Sequence, residues 1–126
     1  MLLAMSLYRD DVDSVIRDLV ENKTLYYGVS GYYSICEGIT PKDVFGSIIR
    51  RMGEHINNSL DSKIRCHKAQ GSVVSAEDIE NVISGYTPYV VDVLKRLDIF
   101  KGVEEVKAGL KSMVSPDINE FYSSLE

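Results

Sequence analysis

The stretch Thr40-Pro-Lys-Asp-Val-Phe-Gly-Ser-Ile-Ile-Arg-Arg-Met-Gly-Glu-His-Ile56 carries a helix start and a helix stripe in one line. A threonine hydroxyl can accept a hydrogen bond from an orphan backbone N–H of a first turn. Proline at the first helical position loses no intrahelical bond and already has a helical φ. Asp43 stands where a capping box needs its acidic member. Behind this start, Val44, Phe45, Ile48, Ile49, Met52, Ile56, Leu60 and Ile64 recur at the spacing of one helical face. The pattern predicts a long helix from Thr40 to Ile56, or onward to Ile64, with Gly53 as a candidate bend.

The same punctuation recurs on the carboxyl side. Thr87-Pro88 and Ser115-Pro116 repeat the hydroxyl-proline pair, and Ser75-Ala-Glu-Asp78 has the form of a capping box. Ile79, Val82 and Ile83 then predict a short helix ended by Gly85 in the left-handed conformation that glycine tolerates. Pro88 opens the next, with Val90, Val91, Val93, Leu94, Leu97 and Phe100 before Gly102; it is apolar nearly all round and so is expected to be central. Val103, Val106, Leu110 and Met113 predict a further helix, and Ile118, Phe121, Tyr122 and Leu125 a last short one. On the amino side, Val12, Val15, Ile16, Leu19 and Val20 predict an amphipathic helix from Ser6 to Asn22.

Between the first two helices, Leu25-Tyr-Tyr-Gly-Val-Ser-Gly-Tyr-Tyr-Ser-Ile35 is rich in aromatic and branched residues around a turn, which predicts a β-hairpin. A short loop with Gly31 left-handed pairs Leu25 with Ile35 and Tyr27 with Tyr33 on one face, and turns Tyr26 and Tyr32 to the other. The fold class expected is therefore mainly α: a compact bundle of five or six short helices with one small hairpin between the first two.

At 126 residues, the chain has the length of one domain able to bury a core, so residues 1–126 are read as one helical domain. The apolar run Met1 to Met5 is too short to span a bilayer and is followed by Arg9, Asp10 and Asp11, not by a cleavage site. Two cysteines make no disulfide framework and suit a reducing compartment. The expected location is cytoplasmic, away from membranes.

Chemistry-bearing patterns are sparse. Cys36, Cys66, His55 and His67 form no Cys-x-x-Cys or helical His pair, there is no nucleophile elbow or phosphate loop, and no metal, cofactor or catalytic residue is expected. Charge is uneven: residues 39–72 carry six basic and three acidic groups, between flanks of three against six and five against ten. Arg50, Arg51, Lys63, Arg65 and Lys68 in this basic segment are the candidate phosphate contacts of a nucleic-acid-binding reading. Ala76 to Leu97, two helices joined around Gly85-Tyr86-Thr87, resembles the helix-turn-helix of transcriptional regulators, and the resemblance implies DNA contact by the second of them.

The function expected first is nevertheless a non-enzymatic protein-interaction or regulatory module. Four tyrosines lie between positions 26 and 33, and tyrosine is enriched at interfaces because it offers a large apolar ring and a hydroxyl while freezing few torsions. Tyr26 and Tyr32 are the candidate partner-binding residues, for another protein or a second copy. Nucleic-acid binding is the alternative, and an enzyme whose site the sequence hides is the third.

Overall fold

The computed structural model describes the backbone of residues 2–28 and 33–125, and side chains from residue 7 onward within those ranges. Along them run α1 (Leu2–Glu21), β1 (Leu25–Tyr27), β2 (Tyr33–Ile35), α2 (Pro41–Gln70), α3 (Asp78–Arg96), α4 (Val103–Ser112) and α5 (Pro116–Ser123). This is the mainly helical bundle with a small hairpin that the sequence predicts, with five helices among the described residues.

The long helix α2 forms as its start signal dictates. Asp43 N–H donates to Thr40 Oγ1 at 3.1 Å, and Thr40 N–H donates to Asp43 Oδ2 at 3.2 Å. Hydrogen bonding from Thr40, by its side chain first and then its backbone N–H, together with the neighbouring Lys42 charge holds the Asp43 carboxyl below its usual pKa. Val44, Ile48, Ile49, Met52, Ile56, Leu60 and Ile64 are all buried. The helix runs past the expected limit to Gln70 and ends on Gly71, whose φ of 68° is left-handed. Gly53 lies within the continuous helix, buried. A β-carbon there would stand 2.6 Å from Met113 Cβ, so its bare backbone is what lets the end of α4 sit against α2.

The main departure lies in α3. The two helices expected to meet at Gly85-Tyr86-Thr87 are one continuous helix with Pro88 inside it, so the helix-turn-helix reading fails: there is no turn. Gly85 is small for a packing reason, because the Tyr8 ring of α1 occupies the space a side chain would need. Pro88 lacks an N–H for the Ser84 carbonyl, but a helix already anchored by buried Val82, Ile83, Tyr86, Val90 and Leu94 outweighs that local cost. The start comes slightly later than Ser75. Asp78 Oδ2 accepts from Ser75 N–H at 3.1 Å, which keeps half of the expected capping box. At the other end, Ile99 enters the core while Phe100, expected to be apolar lining, is 76% exposed.

Helices α1, α2 and α3 pack on one another, and α4 closes the bundle against α2 and α3. Their inner faces, with Leu25 of β1 and with Ile118 and Tyr122 of α5, form a single cluster of buried side chains. The hairpin has the expected antiparallel register, Leu25 with Ile35, Tyr26 with Ser34 and Tyr27 with Tyr33. Gly31, the expected turn glycine, lies outside the described residues.

Candidate functional site

The hairpin docks by one end only. Leu25 is buried against α1, whereas Tyr26, Tyr27 and Tyr33 are 51%, 61% and 37% exposed. Tyr26 turns outward as its register requires. Tyr27 and Tyr33, placed on the inner face by the same register, also clear the core; their rings meet edge to face at 5.1 Å between centroids. Two three-residue strands are too short to carry that face over the helices beyond the Leu25–Ile35 pair. Tyr32 lies outside the described residues.

Tyr33 also borders a cavity of about 280 Å³ in the cleft where α1 meets α3. Ile16, Val93 and Leu97 supply its apolar lining, and Asp13, Arg17 and Arg96 its charged lining. A second hollow of about 380 Å³ continues the cleft, shares Asp13, Val93 and Arg96, and reaches Arg9, Tyr89 and Asp92. Arg96 Nη2 is paired with Asp92 Oδ2 at 2.9 Å, one helical turn back. Arg9 lies over the Tyr89 ring at 5.9 Å. Arg17 makes no ion pair among the described residues.

A polar cluster sits farther along the α1 surface. The buried Tyr86 hydroxyl donates to Asp11 Oδ2 at 2.5 Å, and His55 Nδ1 stands 3.6 Å from Asp11 Oδ1. Burial, with the bond to Asp11 and its charge, pushes the Tyr86 phenol far up from its usual pKa. Asn58 and Ser59 share the shallow hollow beside it with Leu7 and Tyr8. The sequence held one signal of this contact: a hydroxyl-bearing Tyr86 within the apolar series of α3, which needs a polar partner once buried.

The five basic candidates do not converge. At 100° per residue, Arg50, Arg65 and Lys68 fall within about 60° of one another around the α2 axis, while Arg51 and Lys63 lie to either side. Glu54 and Asp61 occupy the same stripe, and Asp61 Oδ2 holds Arg65 Nη2 at 2.9 Å. Arg51 is half-buried, 3.8 Å from Asp18 of α1, with a buried Nε that finds no hydrogen-bond partner among the described residues. Lys68 lies over the Phe121 ring at 5.9 Å.

Cys36 and Cys66 are free thiols, and among the described residues no three His, Cys, Asp or Glu side chains are grouped to hold a metal ion. None of the described helices is long and apolar enough to cross a membrane. No family model, curated protein or solved structure matches the chain.

Proposed function

We propose that this chain is a non-enzymatic, cytoplasmic interaction module that uses the tyrosine hairpin as its contact surface. The observation that carries the reading is the exposure of Tyr26, Tyr27 and Tyr33 together, on both faces of a two-stranded sheet. A ring left in water forgoes the burial that stabilises it elsewhere, and tyrosines are the side chains most often recovered as interface anchors. The occupant proposed is a second copy of the chain. Each strand keeps one unpaired edge among the described residues, and two such edges related by a twofold axis can pair antiparallel into a self-complementary contact.

Sedimentation velocity over a wide concentration range tests this. A dimer is expected, weakened at least about tenfold in Tyr26→Ala/Tyr27→Ala while the unfolding free energy of the monomer changes little. A chain that stays monomeric throughout, or a variant whose monomer loses several kcal/mol, overturns it. Phosphate contact from α2 has less in its favour, since the acidic residues in the stripe of Arg50, Arg65 and Lys68 already offset its charge.

A further inference from the structure

We propose that the cavity between α1 and α3 is a binding site for an apolar monocarboxylate, with Arg17 and Arg96 holding the carboxylate and Ile16, Val93 and Leu97 receiving the apolar body. The inference goes beyond the hairpin reading, and either can fail without the other. At about 280 Å³, the cavity is close to the smallest volumes that ordinary small-molecule sites occupy, which start near 300 Å³. It joins an apolar lining to a few charged groups, the usual division between burial for affinity and charge for orientation.

The charges define the ligand class. Arg17 has no carboxylate partner among the described residues, and Arg96 is tied to Asp92 through Nη2, which leaves its other N–H groups free of that pair. Arg17 and Arg96 both line the cavity, and a guanidinium fork matches the planar, bidentate geometry of a carboxylate. Asp13, in the same lining, sets the limit on charge: a dianion such as a phosphate monoester would meet its repulsion, and a neutral molecule would forgo the charge-assisted bonds the two arginines offer. A monoanion with an apolar tail satisfies both conditions. Such a group can arrive as a free acid or as the last residue of a peptide. Tyr33 closes the side nearest the hairpin and adds an edge for an aromatic tail.

The test uses the full chain and NMR titration of its methyl groups with 3-phenylpropionate, with its primary amide, and with a short peptide ending in phenylalanine as free acid or carboxamide. The acid is expected to bind saturably, at least about tenfold tighter than the amide, because a charge-assisted bidentate contact is lost when the carboxylate is neutralised. The shifts should centre on Ile16, Val93 and Leu97. Arg17→Gln, a change at an exposed side chain, should erase the preference for acid over amide while the remaining spectrum shows an intact fold, and Arg96→Gln on its own should reduce it. Free acid bound without peptide identifies a small-molecule site, and peptide acid bound over its carboxamide identifies a chain terminus. Equal binding of acid and amide, shifts centred elsewhere, or an undiminished preference in Arg17→Gln overturns the assignment.

Discussion

The Tyr8 ring of α1 lies against the bare backbone of Gly85 in α3, so near that a β-carbon at position 85 would stand 2.5 Å from Tyr8 Cε2. The same ring meets Tyr86 edge to face, with centroids 4.7 Å apart. Gly85→Ala is therefore expected to cost about 1 to 3 kcal/mol through overpacking, although alanine is the better helix former. Tyr8→Leu in the same chain should return part of that loss, and the shortfall from additivity measures the contact. Gly46→Ala is the control: nothing lies within 4 Å of its missing β-carbon, and it should stabilise α2 by about 0.5 to 1 kcal/mol. Equal effects at both glycines in urea unfolding would remove the packing argument.

A continuous α3 predicts a particular exchange pattern. The amides of Tyr86, Thr87 and Tyr89 to Leu94 should exchange slowly and with one common opening free energy, because they belong to one helix seated in the core. Two protected segments separated by a fast-exchanging stretch at 85–89 would restore the turn.

Where the sequence was legible, the information was local. Thr40 and Ser115 cap their helices as their hydroxyl-proline pairs announce, and the apolar series of α1 and α2 become buried stripes. The error at Thr87-Pro88 has the same source. The local signal is identical, but Thr87 is buried and its hydroxyl bonds back to the Ile83 carbonyl at 2.7 Å, so the side chain supports the preceding turn and does not begin a new one. Which of these a Thr-Pro pair does depends on whether tertiary packing holds both sides of it in one helix, and no window of sequence contains that. Glycine is ambiguous for the same reason: Gly71 ends a helix, whereas Gly53 and Gly85 make room for Met113 and Tyr8 from distant segments. The cleft holding Arg17 and Arg96 was illegible because its two walls are far apart along the chain.

Asn57 of α2 clamps the turn between α4 and α5. Its Nδ2 donates to the Met113 carbonyl at 2.9 Å, and its Oδ1 accepts from Ser115 N–H at 2.9 Å. Asn57→Ala leaves a donor and an acceptor of that turn without partners and should cost about 1 to 3 kcal/mol. Asn58→Ala, one position on and exposed, should stay within about 0.5 kcal/mol of the parent. Similar losses in both variants would show that the clamp contributes nothing beyond helix propensity.

The last prediction concerns alkaline pH. Burial and the bond to Asp78, whose Oδ2 accepts from the hydroxyl at 3.1 Å, push the Tyr122 phenol from an ordinary 10.0 up to about 12. Tyr86 is raised as well, by burial and by Asp11. A raised pKa means that the folded chain keeps a proton that the unfolded chain releases. The stability from these two phenols is thus complete below pH 10 and is lost as pH climbs from about 10 towards about 12. Urea unfolding midpoints should fall across that interval. Tyr122→Phe and Tyr86→Phe should each flatten the fall, and the double variant should flatten it most. Absorbance at 295 nm supplies an independent reading. Tyr86 and Tyr122 should ionise above the ordinary phenol range, so part of the phenolate signal should appear only well above pH 10. A midpoint that stays level through this range, or ionisation of every phenol at one ordinary pKa, would mean that Asp11 and Asp78 do not hold their tyrosines neutral.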